Sequence, residues 1–434
     1  MLPLSKVKKL LDLFYQTDVK ITQLFLYKRV ILVLEKNRDS RRVIVVGGGP
    51  VGLFSAIRLS GFGIKVVLLE KLEKVNSDIR ASTFHPPTLE MMEPYGITAE
   101  ALSKGVKAPN WQIRMHSTGE RAVFDMSCLA DDTPYPFRLQ FEQSELCKIM
   151  DRILNKDPLA EIRYGSSLHG LSQTSDGVTV EISEDGKIKK LKGTFLIAAD
   201  GGNSKVREIL GLPFEGSMYP ERTVLVTTTF PFHQYLDGIS NVSYCWDKSG
   251  NFSLLRLRNS WRVSMYFPEG LSPEEALDDA HIEERLQSIC SFGEKYEVLD
   301  KRVYRVHQRI VDKYDHGRII LAGDAAHLNS PTGGMGMNGG LHDAQNLTSK
   351  IKEIWSGGDL SLLNLYSRQR KPVAETAIIQ QADKNRKRMT EKDPKKRKEY
   401  LAEMQSITND REKLRKFLWK SSMFEGLELA SSIS

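Results

Sequence analysis

Cysteine is scarce. The 434 residues hold four, Cys128, Cys147, Cys245 and Cys290, and none forms a CxxC pair. This argues against a disulfide-stapled secreted scaffold and a cysteine-built zinc site. No other zinc ligand set is evident, so no metal is expected, and the thiols read as reduced in a cytoplasmic protein. No apolar run near the N-terminus approaches the roughly 18 residues of a membrane span, and mean hydropathy is −0.35. No small-residue cleavage site follows the N-terminal segment, which argues against a secretory signal. Hydrophobic residues at 40% and charged residues at 27% are ordinary for a folded globular chain.

The chain is basic, with a formal net charge of +7. Such an excess can serve nucleic acid or an anionic membrane. Here much of it lies in two flanking segments, so it reads as surface charge with weak attraction for anionic cofactors and substrates, and no nucleic-acid partner is expected. In residues 1–40, Val7, Leu10, Leu11 and Phe14 share one helical face. This segment reads as an accessory helix and strand, with a weakly membrane-contacting surface segment or a targeting segment as the other reading. After Lys384, KNRKR and DPKKRKEY read as solvated helix faces, and Phe417 to Met423 is apolar enough to dock on the body.

Three glycine-rich blocks carry the chemistry. In VIVVGGGPVGLFSAIRL, a buried strand over Val43 to Val46 meets Gly47, Gly49, Pro50 and Gly52 before a helix. A second strand, Val66 to Leu69, ends at Glu70 and Lys71, with Glu70 18 residues after Gly52. A dinucleotide fingerprint has this context: a tight turn, a pyrophosphate on helix amides and an acid for the ribose. The bland alternative is a glycine turn with a solvated strand-end acid. In GTFLIAADGGNSKVREILG, a strand runs into Asp200, which reads as a helix cap or a ligand contact. In GRIILAGDAAHLNSPTGGMGMNGGL, a strand meets Gly323 and Asp324, then Pro331 and a glycine loop opening a helix. Aspartate at a strand end can hold a ribityl hydroxyl, and glycines admit a flat ligand against main chain.

In this order the blocks resemble the class A flavoprotein monooxygenases, the para-hydroxybenzoate hydroxylase and phenol hydroxylase group, over roughly Arg41 to Ala377. Arg80 sits where that family has an arginine near the FAD diphosphate. Gln143 resembles its FAD-contacting glutamine. Tyr304 to Arg318 resembles the strand before the third block, and Asn364 to Ala377 its Y-x-x-x-R-x-P-V-A helix. The resemblance implies an α/β fold, with a Rossmann-like FAD-binding domain over residues 41–215 and 301–377. An antiparallel-sheet substrate domain is inserted at 216–300, and a helical segment follows at 378–434. FAD is the implied cofactor, NAD(P)H a transient co-substrate with no second fingerprint, and O2 and a small aromatic or polyketide-like molecule the substrates. Hydroxylation would run through a flavin C4a-hydroperoxide. Pro331, Gly334, Gly336, Met337 and Asn338 would lie along the isoalloxazine, Asp324 on the ribityl chain, and Asp200 near the diphosphate and the nicotinamide approach.

Short strands are expected at Val224 to Phe230, Ser240 to Trp246, Phe252 to Arg258 and Trp261 to Phe267, with a helix over Ser272 to Cys290. Tyr244, Trp246, Phe252 and Tyr266 are pocket candidates, although any one of them is more often sheet core. No catalytic acid or base matches a fixed motif; His85, His233, His307 and Tyr244 are candidates. Other readings are an isoprenoid-reductase-like flavin oxidoreductase that inserts no oxygen, and a non-catalytic flavoprotein. A halogenase is disfavoured by the lack of W-x-W-x-I-P. The chain shows no thioredoxin-like extension of the larger phenol hydroxylases, which favours the shorter architecture, as monomer or homodimer.

Overall fold

The structure is a computed structural model, and it describes residues 41–75, 81–266 and 270–434. The accessory segment expected in residues 1–40, and Arg80, lie outside these residues.

A six-stranded sheet forms the centre, in the order Asp315–His316, Ile319–Leu321, Phe195–Ala198, Val43–Val46, Val66–Leu69, Ala160–Arg163. Its strands run parallel except for the Asp315–His316 edge. The runs VIVV, VVLL and FLIA are wholly buried, as continuous apolar strands between covered faces must be. Helices Pro50–Gly61 and Met335–Trp355 pack on this sheet and on each other.

An eight-stranded sheet stands beside it. Its order is His327–Leu328, Val298–Ile310, Glu215–Thr228, Trp261–Tyr266, Phe252–Arg256, Val242–Trp246, Asn110–Met115, Arg121–Asp125. The expected strands are present within it, and the turn between Phe252–Arg256 and Trp261–Tyr266 is a hairpin. The sheet is wider than the segment 216–300 anticipated for it. Asn110–Met115 and Arg121–Asp125 come from the first part of the chain, and Asn110–Met115 pairs in parallel with Val242–Trp246. The helix expected over Ser272 to Cys290 is two helices, Pro273–Ala276 and Asp279–Ile289. Ser272 closes the first in a reciprocal capping box with Glu275. Asp278 caps the second through Ala280 and His281, so the chain restarts there instead of continuing one helix.

The C-terminal part is helical. Ser361–Val373 runs into a π-helical stretch, Ala374–Gln380, and then Gln381–Thr390. Helix Arg411–Ser421 docks on the larger sheet: Phe417 stacks on Phe124 at 5.0 Å between ring centres, and Leu418 is fully buried. Among the described residues no helix is long and apolar enough to cross a membrane.

Candidate functional site

Parallel pairing sets the carboxyl ends of four strands side by side. Gly47 N donates to Leu69 O (2.8 Å), Ala199 N to Val46 O (2.8 Å) and Ala322 N to Ala198 O (2.9 Å). Glu70, Gly47, Asp200 and Gly323 therefore follow one another along a single sheet edge, where open α/β sheets bind ligands. The three blocks separated in sequence converge here.

The glycines of the first block divide by function. Gly47 has φ +107° and a Cβ there would collide with Ala199 O, while a Cβ on Gly52 would collide with Gly47 O. Both are required by protein backbone alone. Gly49 differs: its φ is −77°, and a Cβ there would meet no protein atom within 4 Å. It is the N-cap of helix Pro50–Gly61, and no side chain caps this end. The amides at this end are donors for an anion, and only glycine leaves their approach clear. A diphosphate fits this cradle.

Glu70 is buried and accepts from Gly48 N (2.6 Å) and Leu72 N (2.9 Å). Its carboxylate is thereby fixed at the strand end, while Lys71 is exposed. Asp200 accepts from Val206 N (3.1 Å), so it does help cap the next helix. Its other oxygen, Oδ1, is buried without a partner. Burial pushes this carboxyl up, countered in part by Ser204 and nearby amides. An orphaned acceptor suits a sugar or ribityl hydroxyl; a phosphate would be repelled. Gln143 opens helix Gln143–Leu154, its amide donating to Ala81 O (3.0 Å).

The third block is held from beneath by a buried ionic cluster. Asp343 is fully buried. It accepts from Arg370 Nε (2.6 Å), His327 Nε2 (2.8 Å) and Gly323 N (3.1 Å). Burial alone would raise its carboxyl, but the charge of Arg370 and the bond to His327 hold it at about 2. Tyr366 donates to Leu321 O (2.8 Å), so the Y-x-x-x-R part of the helix clamps the strand end before Gly323 and Asp324. The roles of Asp343 and His327 in this cluster were not singled out from sequence. The motif around Arg370 was visible, but its partner Asp343 lies on a different helix.

Beyond it, Gly333 and Gly334 have φ +98° and +70°, and Gly334 N donates to Pro331 O (3.0 Å). Pro331 is exposed and Met337 buried. Gly336 faces Asn329, whose side chain a Cβ would crowd. The Asn338 side chain is fully engaged with protein: it donates to Thr83 O (2.8 Å) and Gly334 O (2.7 Å) and accepts from His85 N (3.1 Å). It therefore fixes the loop, as does His85, whose Nε2 lies 3.0 Å from Gly333 O. Burial, with Arg138 nearby, pushes the His85 ring down to about 3, so it is neutral.

This loop forms one wall of a cleft. Thr332, Gly333 and Met335 line it from the loop, Trp111, Arg138 and Tyr244 from the sheets, and Asn385, Arg388, Met389 and Phe417 from the C-terminal helices. The cleft between these side chains is small, about 30 Å³. Of the expected pocket aromatics, Tyr244 alone lines this cleft. Trp246 and Phe252 are core residues, Trp246 donating to Arg388 O (2.9 Å). Of the candidate histidines, His233 packs on Trp261 away from the cleft, and His307 lies on the strand Val298–Ile310. Trp111 and Arg138 were not anticipated at the cleft, Arg388 lies in a run expected to be solvated, and Phe417 was expected to dock but not here, because each reaches the cleft through long-range packing.

A family profile described as an FAD binding domain matches residues 40–382. The para-nitrophenol 4-monooxygenase of Pseudomonas sp. (strain WBC-3) is 34% identical over 383 residues, 87% of this chain and 94% of that one. The 6-hydroxy-3-succinoylpyridine 3-monooxygenase of Pseudomonas putida (strain DSM 28022 / S16) is 32% identical, over 86% and 96% of the two chains. The crystal structure of a p-nitrophenol 4-monooxygenase from Pseudomonas putida DLL-E4 superposes with a TM-score of 0.84 at 31% identity, covering 89% of this chain and 98% of that one. With the sheet-edge cradle and the aromatic cleft in place, these likenesses settle the family: the chain belongs to the FAD-binding-domain proteins, as a class A FAD-dependent monooxygenase.

Proposed function

We propose that the enzyme hydroxylates a small hydroxylated aromatic ring in the cleft, consuming NAD(P)H, a proton and O2 and releasing NAD(P)+ and water. One observation carries this reading: a narrow cleft walled by Trp111, Tyr244 and Phe417 shares its boundary with the Thr332–Met335 loop. The names of the relatives, with their para-nitrophenol and hydroxypyridine substrates, support a ring of this size. FAD, when bound, supplies the oxygen activation and hydride acceptance that no side chain can perform.

The chain's own residues bind, orient and exclude water. The helix end at Gly49 and Pro50 holds the diphosphate, and Glu70 the adenosine ribose. Asp200 Oδ1 and Asp324 accept from sugar or ribityl hydroxyls, and Gln143 supplies a further cofactor contact. The main chain from Gly333 to Asn338 would offer its amides to the flavin, where they would favour negative charge. Met389 and Phe417 keep the cleft dry. A cytoplasmic monomer or homodimer is part of this reading, and the four cysteines, all free thiols, fit a reducing compartment.

The purified protein should be yellow and should release FAD on acid precipitation. NAD(P)H oxidation and oxygen uptake should both rise with suitable phenols, and the product should gain one oxygen atom by mass. NAD(P)H oxidation with no oxygen gained by any aromatic would instead support an oxidoreductase that inserts none.

Asp324 offers a narrower check. If its carboxylate accepts from a ribityl hydroxyl, Asp324→Ala loses about 1.5–3 kcal/mol of FAD binding, a roughly ten- to over a hundred-fold weaker affinity. Asp324→Asn should be milder. The measurement is melting temperature against FAD concentration; an unchanged FAD-dependent rise in Asp324→Ala rejects the ligand role.

A further inference from the structure

The helix Gln381–Thr390 brings two side chains to the cleft one turn apart, Asn385 and Arg388. Carbonyls at its C-terminal end tie it to the larger sheet and the turn beside it: Trp246 donates to Arg388 O, and Asn251 to Met389 O and Glu391 O. Gln381 donates to Asn385 Oδ1 (3.1 Å). The Nδ2 end is thereby turned to Gly333, 2.8 Å from where a Cβ there would lie. Asn385 Nδ2 makes no hydrogen bond among the described residues. Arg388 Nε is buried with no partner. Glu403 and Tyr400 favour its charge, while burial, the larger effect, opposes it.

The sheet wall repeats the pattern. Trp111 Nε1 and two donors of Arg138, Nε and Nη1, are buried with no partner, and Arg138 is 2% exposed. No aspartate or glutamate lines the cleft among the described residues. Both walls thus offer donors that no carboxylate of the protein meets. A closed site with unmet donors discriminates against a ligand that fails to reach them. A ring carrying a single oxygen would meet one wall and leave the donors of the other unmet. A ligand that meets both carries acceptors at two separated points. The family profile matches residues 40–382, so Asn385 and Arg388 lie beyond it.

We propose that Asn385 and Arg388 form a subsite for a planar two-oxygen substituent on the substrate ring, a carboxylate or a nitro group. This rests on the aromatic-hydroxylase reading above and adds to it a second polar group besides the hydroxyl. Residues three apart on a helix share a face. One oxygen can therefore accept from Asn385 Nδ2 while the other accepts from the Arg388 guanidinium. Because Asn385 stands against Gly333, a substituent held there also sets the ring's distance from the Thr332–Met335 loop. The two residues select and orient; they take no part in bond making.

The test uses the FAD-loaded full chain and three phenols of one shape: 4-hydroxybenzoate, 4-nitrophenol and 4-isopropylphenol, the apolar isostere of both. Dissociation constants are read by titration calorimetry, at a pH where all three hydroxyls are protonated and the carboxylate is ionised. Wild type should bind 4-hydroxybenzoate or 4-nitrophenol about ten- to one-hundred-fold more tightly than the isostere, and the tighter of the two identifies the substituent. Arg388→Met should remove that preference or reverse it in favour of 4-isopropylphenol. Asn385→Leu should reduce it. Arg388→Lys should keep part of it for the carboxylate, since charge returns without the planar fork. All three variants should show the wild-type melting-temperature rise with FAD. The proposal is overturned if wild type prefers neither oxygenated phenol, or if the preference survives Arg388→Met combined with Asn385→Leu. It is also overturned if the variants lose FAD or weaken all three phenols equally, as a loss of packing would. Absence of oxygen insertion with every phenol would sink the hydroxylase reading separately, because these binding measurements need no turnover.

Discussion

Gly49→Val should purify as a folded, colourless protein. The wild-type site places Gly49 at the uncapped end of helix Pro50–Gly61 with open space where its Cβ would be. Its φ of −77° is one that valine adopts readily. The substitution therefore costs the apoprotein little, and far-ultraviolet circular dichroism and the apo melting temperature should stay near wild type. What it removes is room for the diphosphate against the helix amides. Added FAD should give no melting-temperature rise and no recovered activity. Gly52→Val is the informative contrast. Its Cβ would strike Gly47 O, so that variant should fail to fold, with or without FAD. If Gly49→Val retains yellow colour through gel filtration, the cradle does not hold the diphosphate.

Asp343→Ala should fold but be strongly destabilised. It leaves Arg370 and His327 buried without their acceptor and frees Gly323 N as well. Breaking a buried pair from one side costs about 3–5 kcal/mol. The loss should appear in urea unfolding of apoprotein, before any FAD effect. Replacing both partners, as in Asp343→Leu with Arg370→Met, should be milder than either single change, because no lone charge remains. The sign with pH follows from a carboxyl held at about 2. Its contribution is fully present above the unfolded value of about 3.9 and is lost as pH falls toward about 2. Acid unfolding of wild type should therefore steepen in that window, and Asp343→Asn should lack that component. A loss under about 1 kcal/mol in Asp343→Ala would show that the cluster does not hold the Gly323 turn.

The cradle was legible because it is local. Val43–Val46, the glycines and helix Pro50–Gly61 are consecutive, and their periodicities switch where the ligand turn must lie. The position of the third block at the same sheet edge needed the family pattern, and parallel pairing then explains it. The cleft was not legible for a topological reason. Trp111 sits in a segment that read as part of the nucleotide domain, yet its strand joins the larger sheet beside Val242–Trp246. Tyr244 and Trp246 share a face by strand alternation, but the C-terminal helix covers Trp246 and leaves Tyr244 at the cleft. Arg138 was not legible either, because it meets Tyr244 and the Trp111 ring only through the packing of separate segments. Glu70 and Asn338 show the reverse limit: their identities suggested ligand contacts, and the structure adds the backbone bonds they make within the protein.

The parallel pairing of Ser243–Trp246 with Gln112–Met115 also orders the protein's assembly in time. Closing that loop spans more than a hundred residues, and contacts so far apart form late in folding. During synthesis the nucleotide cradle can begin to organise while Trp111 still lacks its neighbouring strand. Phe417, which seals the other side of the aromatic stack, emerges later still. Ile319–Leu321, whose end completes the cofactor seat, also emerges after Val242–Trp246, so neither the seat nor the reaction chamber can be completed until most of the chain has been made.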